Sequence, residues 1–300
     1  MSPIWTFRLA LAAALAVATA PTAAHPARGI AVAPDGRVYF SDLERIWTIG
    51  RDGRLSLLRE HRGIHTHALA ITRSGDLYGE DSNYHPVDQS YWESVWRITP
   101  KGRFSYVYGP TRSVARGVGL TRDGSGCSFH SDQTGQGGLP LVHRLCPGLP
   151  VERLVGSAAD DRMFRPVLVN DVAGTALAGG NFYFRQGDSV RKVARDGRMT
   201  VIASGLAKEN FGIAMDGAGA LYVAEFGRRR LLRIAADGRR NVVATSAAPW
   251  GPTGVAASRG ALYLLETTEY RRGVATRVRV RRIDPRGRAR VLTEIAIPLG

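Results

Sequence analysis

A few side chains in this 300-residue sequence have the types and spacing that proton transfer or cation binding needs. His65 and His67 lie two apart, so both point to one side if the stretch is extended. Glu80 and Asp81 follow shortly after, and Asn170 with Asp171, Asn210, Glu225 and Glu266 recur at comparable points downstream. An imidazole facing a carboxylate is an acid–base pair, and Glu80, His67 and Glu225 are the candidate bases. Crowded carboxylates repel one another and lose solvent, so without a cation some pKa values rise. Oxygen donors suit Ca²⁺ or Mg²⁺, and added imidazole suits Zn²⁺ or Mn²⁺. Plainer readings stand beside these: solvated loop histidines, and acids that only bond neighbouring backbone amides. No Gly-x-Ser-x-Gly or phosphate loop is present, which argues against serine hydrolase and nucleotide chemistry.

The elements that position these residues are repeats. Segments 29–42, 67–80, 117–130, 171–184, 212–225 and 254–266 align, the fourth being degenerate. Each runs from small and branched apolar residues through a Gly-containing turn to a second strand with an aromatic. A second hairpin follows in most units, clearest at 45–58 and repeated at 96–104, 190–199, 232–239 and 281–288. Asp-Gly between alternating apolar residues is the strongest short-range hairpin signal. Four short strands per unit, with starts 38 to 54 residues apart, predict an all-β fold: one six-bladed β-propeller over residues 25–300. The blades fall near 29–66, 67–116, 117–169, 170–210, 211–252 and 253–300.

A four-stranded meander places its Asp-Gly turns on one face, the bottom, and the ends of the second strands on the other. Asp42, Glu80, Asp81, Glu225 and Glu266 then converge with His65, His67, Asn170, Asp171 and Asn210 at the top channel mouth. Three long connections, 81–94, 131–141 and 267–276, belong to the same face, and long loops on a repeat scaffold are often functional. The first carries Tyr84, His85, Tyr91 and Trp92, a candidate lid or stacking wall. Arg54, Arg103, Arg198, Arg239 and Arg288 follow the Gly of successive turns and predict a basic lower rim, either solubilising or docking on an anionic surface.

The Gly-Ile-Ala-Val-x-x-x-Gly-x-Leu-Tyr-Val-x-Asp/Glu pattern resembles NHL repeats and the related SMP-30/gluconolactonase/luciferin-regenerating-enzyme-like propellers, over nearly the whole mature chain. The resemblance implies one divalent metal (Ca, Mg, Mn or Zn) in the channel, with Glu225 or Glu266, Asn170, Asp171 and Asn210 in the ligand roles. A lyase-like relative would instead use His67 with Glu80. The expectation is a metal-dependent lactonase- or esterase-like hydrolase, or a lyase, acting on a small lactone or ester at the top face. The alternative is a non-catalytic binding module holding a small molecule or a protein partner on that face.

Residues 1–24 read as a signal peptide: Arg8, then an apolar run from Leu9 to Ala20 too short to span a bilayer, then a cleavage site after Ala24. The mature protein is expected to be periplasmic or secreted, and a monomer. In that oxidising compartment Cys127 and Cys146, on adjacent strands of one blade, predict a disulfide. The net charge is +15, and 38 of the 41 cationic side chains are arginine. That skew looks like GC-rich codon usage; it favours anionic partners, but no nucleic-acid motif is present and none is expected as ligand.

Overall fold

The computed structural model describes residues 26–85, 87, 90–113, 117–122, 128–132, 141–145, 152–155, 172–178, 181–194, 198–268 and 276–297. Residues 1–24, expected to be a signal peptide, both cysteines expected to pair, Asn170 and Asp171 lie outside them. The described residues form an all-β propeller of six four-stranded antiparallel sheets, each a meander in sequence order. Blade one holds β1 (Ile30–Val32), β2 (Val38–Ser41), β3 (Arg45–Ile49) and β4 (Leu55–Glu60). Blade two holds β5 (His65–Ile71), β6 (Leu77–His85), β7 (Ser90–Ile98) and β8 (Phe104–Ser113). Blade three has β9 (Gly117–Arg122), β10 (Ser128–Asp132), β11 (Leu141–Leu145) and β12 (Glu152–Val155). Blade four has β13 (Val172–Ala178), β14 (Asn181–Gln186), β15 (Ser189–Val193) and β16 (Met199–Ala203). Blade five comprises β17 (Asn210–Met215), β18 (Leu221–Glu225), β19 (Arg230–Ile234) and β20 (Arg240–Thr245). Blade six comprises β21 (Trp250–Ser258), β22 (Ala261–Thr268), β23 (Arg277–Ile283) and β24 (Ala289–Ala296).

The inner strands β1, β5, β9, β13, β17 and β21 touch in turn, and β21 touches β1. No sheet of the described residues borrows a strand from the other end of the chain. The seam instead closes by packing: Ala27, Ile30, Val38, Phe40 and Ile49 of blade one bury against Leu265, Val278 and Val280 of blade six. Each fully buried side chain of this size contributes about 1.5–3 kcal/mol. Gly254 permits the close approach, since a Cβ there would fall on the Arg28 carbonyl. Parallel clusters seal blades one to two, four to five and five to six.

The Asp-Gly turns are one residue longer than a two-residue hairpin. In 50–54 the Gly53 amide donates to the Gly50 carbonyl at 3.0 Å and Gly50 donates to Arg54 at 2.8 Å. Only Gly53 has positive φ, at 81°, so this is an ordinary turn followed by a glycine bulge. The turn at 284–288 repeats it. Two cross-strand rows then fix every register. A tyrosine on the second strand faces Thr48, Arg97, Lys192, Arg233 or Arg282 on the third in blades one, two, four, five and six. Near the top, the inner strands of blades two to six each carry a register shift.

Candidate functional site

That upper register shift decides which acid occupies which place. In blade two Thr66 pairs with Asp81 and Ala68 with Glu80, leaving His67 bulged out of register. In blade six Pro252 pairs with Glu266 and Gly254 with Leu265, leaving Thr253 bulged. Asp81, not Glu80, is therefore the counterpart of Glu266, each lying three residues after the tyrosine of its strand, although the aligned segments 67–80 and 254–266 end on Glu80 and Glu266. Glu80 falls one residue earlier, where blades one, four, five and six place Ser41, Arg185, Ala224 and Leu265, and it is fully buried. In blade four the acid row holds an amide instead, Gln186, also buried.

Each described acid of the row is engaged by cations or other donors. Asp42 accepts from the Arg45 amide at 2.9 Å and the Trp47 indole at 2.9 Å, and pairs with the Arg45 guanidinium at 2.9 Å. Burial pushes its pKa up, and Trp47 and Arg45 pull the other way. Asp81 accepts from Thr66 Oγ1 at 2.7 Å and lies 3.5 Å from Arg59. Glu225 takes the Ala207 amide at 2.7 Å, Arg228 at 3.2 Å and Arg230 Nε. Glu266 takes the Ser246 hydroxyl, Arg279 Nε at 2.6 Å and Arg281 at 2.9 Å. For Asp42, Glu225 and Glu266 donors come from the third strand of the same blade, and for Asp81 from Thr66 on its first strand; Asp81, Glu225 and Glu266 also take donors from the end of the preceding blade. The row thus latches successive blades together.

This geometry answers whether a divalent cation fits. Both oxygens of the buried Glu225 and Glu266 carboxylates are already engaged by guanidinium groups, so a metal would have to displace those arginines. Among the described residues no group of three or more His, Cys, Asp or Glu side chains is placed to hold an ion. Asn210 is buried at the start of β17, where its amide nitrogen donates to the carbonyls of Gly187, at 3.1 Å, and Ala207. Two carbonyl partners fix the amide orientation, so Oδ1 is the other end, a buried acceptor with no hydrogen-bond partner among the described residues. One amide oxygen does not make a cation site, and the described donors do not fit the metal expected from the sequence.

Blade two offers different chemistry. The His65 and His67 rings lie 6.0 Å apart, edge to face. His67 is 1% exposed, and burial first, then Arg28 and His65, hold its pKa well below the usual histidine value. Burial also lowers His65, partly offset by Glu44. Both rings are therefore neutral at neutral pH. The bulge sets His67 immediately before Ala68, the register partner of Glu80, so the backbone brings these two sequence-predicted residues to neighbouring positions.

The connection expected as a long loop in blade two is a β-ladder. Pairing runs without interruption from Leu77↔Ile98 to His85↔Ser90, and β8 follows it to Ser113. Trp92 on this extension is partly exposed and lies 5.9 Å from the His85 ring. The basic rim is also partly self-neutralised, since Arg239 pairs with Asp237 at 2.7 Å and Arg288 with Asp284 at 3.0 Å. Sequence reasoning missed Arg28, Arg59, Arg230, Arg279 and Arg281. The alternating Arg277-Val-Arg-Val-Arg281 run was the one visible signal, since alternation turns its arginines to one side of β23.

No protein-family model and no curated protein sequence matches the chain. Solved structures do. A virginiamycin B lyase from Staphylococcus aureus superposes with TM-score 0.58 at 16% identity, covering 91% of this chain and 85% of that one. A gluconolactonase from Xanthomonas campestris gives 0.57 at 15%, covering 80% and 84%. Regucalcin, a calcium-binding protein from Agrobacterium tumefaciens, gives 0.59 at 14%, covering 83% and 84%. The chain is thus similar in fold to gluconolactonase-like and streptogramin-lyase propellers, and identities this low establish the fold alone.

Proposed function

We propose that the protein is a hydrolase or lyase for a small ester or lactone, working on the blade-two side of the channel mouth with His67 as proton acceptor. The observation that carries this reading is the neutral state of that imidazole beside Arg28 and His65, the form a general base needs. In hydrolysis, His67 takes a proton from water as the water oxygen adds to the ester carbonyl carbon. Arg28 favours the negative charge that develops on the carbonyl oxygen. Collapse breaks the bond to the alkoxide, which recovers the proton from the imidazolium. The neighbours' names, a lyase and a gluconolactonase, support the reaction class. A divalent cation is part of the sequence expectation, but the described donors do not fit one, and no step is routed through it.

A second reading, a non-catalytic binding module on the same face, is favoured by the depth of His67 and by the aromatic blade-two extension. A panel of esters and lactones assayed with wild type and His67→Gln separates the two. Catalysis predicts turnover that falls about 10²–10⁴-fold in a variant that keeps its circular dichroism spectrum. Turnover equal in both proteins contradicts the role of His67. Absence of turnover from wild type, with ligand binding retained, leaves the binding module.

A further inference from the structure

The lower part of blade six breaks the cross-strand pattern of its sister blades. In the row that starts at the tyrosine of each second strand, the outermost residue is Ser56, Ser105, Thr200 or Asn241 in blades one, two, four and five. Each is neutral, and each faces at most one cation across the ladder. In blade six the row reads Tyr263, Arg282, Arg290, with the two arginines as direct Cα partners. Direct partners on one sheet face have Cβ atoms about 5 Å apart, and like charges there repel.

Blade two shows how the fold normally settles such a charge: Arg97 donates to Asp76 Oδ1 at 3.0 Å. Blade six has no acid there. Its first hairpin turn carries Arg259, whose guanidinium reaches the Pro34 carbonyl of blade one. Its second turn carries Asp284, which is taken by Arg288 at 3.0 Å. Among the described residues no side chain forms a hydrogen bond or ion pair with the guanidinium groups of Arg282, Arg286 or Arg290; Asp284 accepts only from the Arg286 amide, at 2.9 Å. Tyr263, on the same face as Arg282 and Arg290, packs against the buried cluster that closes the ring, as does Leu55 of blade one. The uncompensated pair therefore stands at the lower end of the seam between blades six and one.

We propose that this seam is an anion site: Arg282 and Arg290, with Arg286 at the adjoining turn, hold a phosphate-type oxyanion. Two planar guanidinium forks on adjacent strands match the paired oxygens of such a group, and its charge removes the repulsion that the register otherwise builds in. This site lies on the face opposite the channel mouth and is independent of the reading of His67.

The test is the melting of the full chain in inorganic phosphate against chloride at equal pH and ionic strength. A tenfold excess over Kd raises Tm by about 3 °C. Arg282→Gln and Arg290→Gln each remove that rise, whereas Arg233→Gln, at the same row of blade five, keeps it. Equal shifts in all four proteins mean a general salt effect and overturn the site, as does no shift in wild type. Sedimentation with phosphatidylcholine vesicles, with and without phosphatidylglycerol, identifies the source of the phosphate. Binding to the anionic vesicles that both variants lose makes it a lipid headgroup; a phosphate-induced rise without vesicle binding makes it a free phosphate.

Discussion

Blades two and six share one device, an extra residue bulged from the top of the inner strand, and fill it differently. In blade six it is Thr253, whose hydroxyl reaches the Leu265 carbonyl at 3.4 Å while Glu266 beside it is saturated by Ser246, Arg279 and Arg281. In blade two it is His67, with Glu80 buried at a position where blade six has Leu265. The acid row recurs because it latches one blade to the next. The bulge is free of that duty, since its residue is outside the ladder, so chemistry can be placed there without loosening the ring.

Breaking the blade-six side has the largest expected effect. Glu266→Gln leaves Arg279 and Arg281 buried without their counter-charge, so it costs about 3–5 kcal/mol in urea denaturation. A loss below 1 kcal/mol would mean that the carboxylate is no latch. Gly79→Ala comes next. Blade six has Leu264 at this position, but in blade two a Cβ would collide with the Trp96 ring, which is buried and stacked under Arg59 at 4.8 Å. The overpacking costs about 1–3 kcal/mol, read from the same transitions.

The six units were legible because their Gly-containing turns and an aromatic on the second strand, a tyrosine in five of them and Phe129 in blade three, recur along the sequence, where hairpin geometry and packing demand the same residue types. The acid row was legible only approximately. Counted from Tyr78 the acid position is Asp81, but aligning the unit from the bulged His67 instead of Ala68 puts Glu80 there. The arginine partners were hidden because 38 arginines spread over the chain give no hint of which ones meet a carboxylate across a ladder. Register decides that, and register follows from the turns and bulges. The aromatic connection of blade two read as a loop because its Asp, Asn and Pro content outweighs its β-formers, yet cross-strand pairing extends it.

Acidification tests the blade-two side at smaller amplitude. His65 and His67 have folded pKa values below the unfolded value of about 6.5, so the unfolded chain takes up protons first. Their contribution to stability is complete above that pH and is lost as the pH falls through the folded values. The slope is at most about 1.4 kcal/mol per pH unit for each ring. Denaturant midpoints between pH 7 and pH 5 should fall in wild type and fall less in His67→Gln; parallel curves would mean that folding does not lower the pKa of His67. Thr253→Ala is the smallest change, below about 1 kcal/mol, because its hydrogen bond is long.

The account stands most directly on whether the upper acids are latches or ligands. Thermal melts of wild type and Glu266→Gln, each with calcium and with EDTA, decide it. As latches, the acids give a wild-type Tm unchanged by EDTA and a variant Tm far lower under both conditions. A wild-type Tm that drops on chelation, to the level of a variant that no longer responds to calcium, would contradict the account and make Glu266 a metal ligand.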